Sequence, residues 1–299
     1  MKYIFWIISL LSFTLISQAQ SIEEMGIPCV DYEGDFIPLR SCESITLEQK
    51  LEARLRQDKK WDQLISQKKL AVSVVNLSDL ENVELAEING DEMMYAASLP
   101  KIAILLAAMD AIEKGELEET EEVTKDMQIM ISKSDNRAST RMIDRLGYHK
   151  IARVLTNPQY KLYDKTVGGG LWVGKRYAAG GQRNPDPMEG LSHAATAMQV
   201  ARFYYMMAFG QLVNEERSEQ MLEIMVDPKL HHKLVNTFER IAPEAKLFRK
   251  SGSWSVFHSD SIMVWGPERQ YILVVLVEDA DGENIIRQLG KVVDEVLRE

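Results

Sequence analysis

The chain has 299 residues, 45% hydrophobic and 27% charged, and its 45 acidic against 35 basic residues give a formal net charge of −10. This length suits one domain with two lobes, and the acidic balance argues against nucleic acid or another polyanion as partner. No repeat of 20–50 residues, low-complexity tract or long linker divides it.

The chain opens with Lys2, a mostly apolar run from Tyr3 to Ile16, and then Ser17, Gln18 and Ala19. This pattern predicts a cleavable export signal over residues 1–19. Its apolar run is short for a membrane span of about 20 residues, so the expected product is periplasmic or secreted, with no stable membrane span after cleavage. Residues 20–45 form a polar N-terminal segment holding the two cysteines, Cys29 and Cys42. In an oxidising compartment a disulfide between them is expected, the alternative being two unpaired thiols without a catalytic role.

Thr46, with Gln49 three residues on, resembles a capping box. Leu47, Leu51 and Leu55 then recur at helical spacing and predict a helix to about Ser66. Leu70–Leu77 (LAVSVVNL) and Val83–Ile88 read as strands. Helical patterning dominates from Pro100 to about Phe238. Strand patterning returns near Leu247, in Ser261–Trp265 and, after Gly266 and Pro267, in Tyr271–Val277. A helical stripe from Ile285 to Leu297 closes the chain. The expected fold class is α+β: an antiparallel sheet flanked by N- and C-terminal helices, with an all-helical lobe inserted. The sheet lobe is assigned to residues 46–97 and 245–299, and the helical lobe to 98–244.

One segment carries chemistry. In YAASLPKIAILLAAM (Tyr95–Met109), Lys101 is the only charge in an otherwise apolar run. Ser98 precedes it by three residues, so both fall on one face if Ser98 begins the helix. An adjacent amine whose pKa is lowered by burial can activate a serine hydroxyl. SxxK alone is equally compatible with a capping serine and a lysine reaching solvent. Two further motifs follow in order, Ser134-Asp135-Asn136 (SDN) and Lys250-Ser251-Gly252 (KSG), the latter where a strand is expected.

With these three motifs the sequence resembles the penicillin-recognising serine hydrolases, and among them the class A β-lactamases, from about Thr46 to the C-terminus. The resemblance implies a β-lactamase/transpeptidase-like fold with no cofactor and no metal. The implied substrate is a small β-lactam or a cell-wall peptide. It makes Ser98 the acylated nucleophile, Lys101 its proton acceptor and Ser134 the relay to the leaving nitrogen. Asn136 would hold Lys101 and the substrate amide, and Lys250 with Ser251 would bind the substrate carboxylate. Gly252 would permit close approach to the strand, and the backbone N–H groups of Ser98 and Ser253 would form the oxyanion hole.

The sequence departs from the class A pattern in two places. The link from Ser98 to Ser134 is short, and the ExxLN segment, whose glutamate positions the deacylating water, is missing. Between Lys150 and Val200 the only carboxylates are Asp164, Asp186 and Glu189. Glu189 or Asp186 is the candidate for that water, although Glu189 also reads as a solvated loop residue. The favoured expectation is a β-lactamase that turns over. The alternatives are a D-alanyl peptidase, amidase or esterase, and a slowly acylating sensor.

The remaining motifs point away from other chemistries. Val167–Arg176 (VGGGLWVGKR) lacks the Ser or Thr of a P-loop and reads as a loop edging the cleft. The five histidines lack metal-ligand spacing, and His231 with His232 reads as a solvated face. Phe203–Phe209 reads as lobe core, and Glu116–Glu122 as a solvated helix junction.

Overall fold

The computed structural model describes residues 22–29 and 34–299; the expected export signal lies outside them. In chain order the elements begin with α1 (Ile45–Leu55), α2 (Lys59–Ser66), β1 (Leu70–Asn76), β2 (Glu84–Ile88), β3 (Met94–Tyr95) and α3 (Lys101–Glu113). There follow α4 (Glu121–Ser132), α5 (Asn136–Leu146), α6 (Tyr148–Leu155) and the short strands β4 (Tyr163–Asp164), β5 (Gly169–Gly170), β6 (Trp172–Val173) and β7 (His193–Ala195). Last come α7 (Ala197–Ala208), α8 (Glu215–Met225), α9 (Leu234–Ile241), β8 (Lys246–Trp254), β9 (Phe257–Gly266), β10 (Arg269–Glu278) and α10 (Gly282–Arg298). Among the described residues no helix is long and apolar enough to cross a membrane.

The five long strands form one sheet in the order β2-β1-β10-β9-β8, with every neighbouring pair antiparallel. Alternation explains why Tyr271–Val277 is an unbroken apolar run: a strand covered on both faces needs apolar residues at every position. Ile272, Val274 and Leu276 join the core shared with α3 and α7. Leu273, Val275 and Val277 join a second core under α1, α2, α9 and α10. Phe203–Phe209 is buried in the first core, as expected of lobe interior.

The first expected helix is two helices. Ser44, not Thr46, caps α1 by accepting from the Leu47 N–H, and Asp58 starts α2 by accepting from Lys60 and Trp61. Each such cap contributes about 1 kcal/mol, and the chain turns between them at Arg56–Asp58.

The disulfide expectation is overturned: both cysteines are free thiols. Cys29 is buried, with its thiol directed at the Glu215 carbonyl, 3.6 Å away, at the start of α8. Cys42 instead faces the Pro38 carbonyl within its own turn, at 3.9 Å. Burial, with Glu219 and Glu215 nearby, pushes the Cys29 thiol up to about 12, so it is an inert packing group.

Candidate active site

The site is built where α3 begins, at the edge strand β8. Ser98 stands just before the helix rather than within it, and Pro100 takes the cap position. Successive i to i+3 bonds, Leu99 N–H to Ala96 O, Lys101 N–H to Ser98 O and Ala103 N–H to Pro100 O, tighten this entry and fix the Ser98–Lys101 spacing. The apolar surroundings foreseen for Lys101 are real: α3 is buried from Lys101 to Ile112, and the lysine is fully enclosed. Its Nζ lies 2.6 Å from the Ser134 carbonyl oxygen, 3.3 Å from Ser134 Oγ and 2.8 Å from Asn136 Oδ1. Burial lowers its pKa to about 7, opposed by the charge of Asp135.

Ser134 and Asn136 reach Lys101 because of the turn between α4 and α5. Ser134 has φ 56°, a left-handed conformation unusual for a residue with a side chain. Asp135 then caps α5 by accepting from the Ala138 N–H at 2.7 Å. The SDN tripeptide thus serves two ends: its middle residue starts a helix, and its outer residues hold the lysine.

From the opposite wall, Lys250 donates to Ser134 Oγ at 2.9 Å and to the Ser251 carbonyl at 2.6 Å. The Ser134 hydroxyl is therefore shared by two lysines. Enclosure, together with Lys101 and Arg249, pushes the Lys250 amine well down. Gly252 is where the strand passes closest to the serine turn: a Cβ there would lie 2.3 Å from the Ala96 oxygen and 2.6 Å from the Ser98 nitrogen. Ser98, Asn136 and Ser253 together line a cleft of about 800 Å3, a size suited to a small ligand. Tyr95, Phe257 and the exposed Trp254 give it an aromatic wall, and Lys175, Arg176 and Arg183 a cationic rim. The Val167–Arg176 stretch does edge this cleft, as expected, through Lys175 and Arg176 just after β6.

Neither candidate carboxylate for the deacylating water lines the cleft. Asp186 is buried away from the cleft, accepting from the Tyr163 hydroxyl and from the N–H groups of Met188, Glu189 and Leu191. Those bonds consume its lone pairs in holding its own loop. Glu189 is exposed and lines a depression with Lys68, Lys69 and Glu92 that shares Tyr95 and Phe257 with the cleft. No Asp or Glu is among the described residues lining the cleft. Ser251 lies on the right strand, almost wholly buried, with its carbonyl accepting from Lys250.

Two functional neighbours were missed. Lys233, next to His231 and His232 in a stretch read as solvated, is fully buried. It donates to the Gly252 carbonyl (2.6 Å), Ser253 Oγ (2.8 Å) and the Ser259 carbonyl (3.0 Å), tying β8 to β9 beneath the cleft. Its only local signal was its place directly before the apolar stripe of α9. Tyr177 sits with its ring centroid 4.5 Å from Lys101 Nζ, and nothing in its sequence context marked it.

A family described as "Beta-lactamase enzyme family" matches residues 56–128 and 126–297. The chain belongs to the β-lactamase enzyme family. No curated protein sequence matches it. Among solved structures, a point mutant of PBP-A, as its acyl-enzyme with penicillin G, aligns with TM-score 0.65 and 19% identity, covering 88% of this chain and 99% of that one. A β-lactamase from Sphaerobacter thermophilus aligns with TM-score 0.65 and 16% identity, over 84% and 97%. A class A β-lactamase from Bacteroides cellulosilyticus aligns with TM-score 0.62 and 18% identity, over 84% and 98%. The α+β arrangement of this family member is thus the class A β-lactamase fold.

Proposed function

We propose that this protein is an exported serine hydrolase in which Ser98 opens a β-lactam amide to form an acyl-enzyme that is slow to release. The observation that carries the reading is the Ser134 hydroxyl held between Lys250 and Lys101, the latter tied to Ser98 by its backbone N–H to the Ser98 carbonyl. Lys101, poised near neutrality, takes the Ser98 proton as Oγ attacks the carbonyl carbon. The Ser98 and Ser253 N–H groups stabilise the resulting oxyanion. Ser134 passes a proton to the departing nitrogen, the C–N bond breaks, and the acyl group remains on Ser98. The penicillin G acyl-enzyme of PBP-A is formed on this same fold. Slow release is supported by the cleft lining, where none of the described residues, Asp186 and Glu189 included, places a carboxylate to activate water. A fluorescent penicillin should label the protein covalently and Ser98→Ala should abolish the label; labelling that survives this change would place the nucleophile elsewhere.

Lys250 supplies the cation for the substrate carboxylate, and Ser251, the next residue on β8, is the second group assigned to it. An incoming carboxylate restores the charge that burial disfavours on Lys250. Lys250→Ala should therefore slow acylation by anionic β-lactams roughly a hundredfold, while a neutral ester loses much less. Equal losses for both substrates would make Lys250 purely structural. A cell-wall peptide ending in a free carboxylate meets the same requirements, and the rim of Lys175, Arg176 and Arg183 favours such larger anionic ligands.

A further inference from the structure

We propose that Tyr177 is a water-excluding cover over the Ser98 and Lys101 pair, so that an acyl group on Ser98 is held rather than hydrolysed; this rests on Ser98 being the acylated residue. The Lys101 amine has Ser134 O, Ser134 Oγ and Asn136 Oδ1 on three sides, and the Tyr177 ring lies over it at 4.5 Å. The ring is anchored at both ends. Its hydroxyl donates to the Ala97 carbonyl, one residue before the nucleophile, at 3.3 Å. Its face stacks on His193, with centroids 4.3 Å apart and planes tilted 33°. His193 is itself fixed, its Nε2 to the Lys175 carbonyl at 3.0 Å and its Nδ1 to Ser192 Oγ at 3.3 Å.

Hydrolysis of the ester needs a water whose oxygen attacks the acyl carbon while a base takes its proton. The bond to Ser98 Oγ then breaks, and a proton returns to that oxygen. On the Lys101 side, the tyrosine ring lies 4.5 Å from Nζ and lines the cleft with Ser98, where it would exclude such a water. Among the described residues lining the cleft there is no Asp or Glu to serve as the base. Both His193 nitrogens are engaged in hydrogen bonds, and burial lowers its pKa to about 4, so it is a weak proton acceptor. Tyr177 does not serve either: its proton is committed to Ala97, and enclosure pushes its pKa well above the usual tyrosine value. The pairing of an intact acylation apparatus with a stacked aromatic over its lysine favours retention of the acyl group.

The test compares full-length protein, Tyr177→Ala and Tyr177→Phe after a pulse of benzylpenicillin, following intact mass with time. Tyr177→Ala should lose its adduct roughly tenfold faster or more, with acylation rate read separately, whereas Tyr177→Phe should keep the parental lifetime because the ring remains. Tyr177→Leu, which retains apolar bulk but frees the outer part of the space, should fall between them and serves if the alanine variant does not fold. Parental lifetimes in folded Tyr177→Ala or Tyr177→Leu would overturn the proposal, as would a Tyr177→Phe lifetime as short as that of alanine. Absence of any adduct in the parent with no penicillin consumed would instead defeat the assignment of Ser98, whereas absence with rapid hydrolysis would overturn retention itself, so the two failures are distinguishable.

Discussion

Lys101→Arg should reduce acylation by penicillin roughly a thousandfold, the largest effect expected from a single change here apart from loss of Ser98 itself. Guanidinium stays protonated and cannot accept the Ser98 proton. The enclosure that lowers the Lys101 pKa to about 7 also leaves an added permanent charge without a carboxylate among the atoms its Nζ touches. Lys101→Met, which removes the base without burying a charge, separates loss of chemistry from loss of folding and should be comparably slow. In the parent the reactive form is the neutral amine. Because the pKa is lowered, acylation should rise as pH increases through about 7 and level off above it. That inflection should vanish in both variants, as read from acylation rate against pH. A retained inflection, or near-parental acylation, would move the proton-accepting role to another group.

Gly252→Ala should cost nearly as much by a purely steric route. The added Cβ would lie 2.3 Å from the Ala96 oxygen, 2.6 Å from the Ser98 nitrogen and 2.7 Å from Ser259 Oγ. Two of those atoms are backbone, and the Ser98 N–H is one of the proposed oxyanion donors. The Ser259 hydroxyl, which already donates to the Ala96 carbonyl at 2.8 Å, leaves little room for relief. Either β8 moves outward or the serine turn does, and both shifts misalign the donors. A loss of roughly a hundredfold or more in acylation follows, together with destabilisation of about 1–3 kcal/mol. Rates of adduct formation and a denaturation midpoint measure the two effects. Unchanged acylation would show that the strand and the serine turn are not rigidly apposed.

The sequence revealed most where local chemistry and long-range role coincide. Lys101 was conspicuous because a charge in an apolar helix must be explained, and the SDN and KSG tripeptides stand where Lys101 and Lys250 meet at Ser134. The sheet was legible because β1, β9 and β10 carry apolar residues on both faces. Less legible were groups whose importance comes only from what the fold brings beside them. Lys233 looks like any lysine in a charged stretch until the start of α9 buries it against β8 and β9. Tyr177 lies in an irregular loop with no periodicity to mark it. Asp186 misled because its turn context, between Pro185 and Pro187, describes a loop-holding carboxylate as well as a reactive one. The three N–H groups it accepts decide between them. The cysteine pairing failed for a similar reason: oxidation state and count say nothing about whether two short turns face each other.

The central claim is that Ser98 is acylated by a β-lactam and the ester then persists. The most direct test mixes the protein with a few equivalents of benzylpenicillin, removes the excess and follows intact mass and released product over hours. The account predicts a gain equal to the whole ligand, located on a peptide containing Ser98, that outlasts the removal of free penicillin with little product released. An adduct that disappears within seconds, with many equivalents of penicillin hydrolysed per protein, would contradict it.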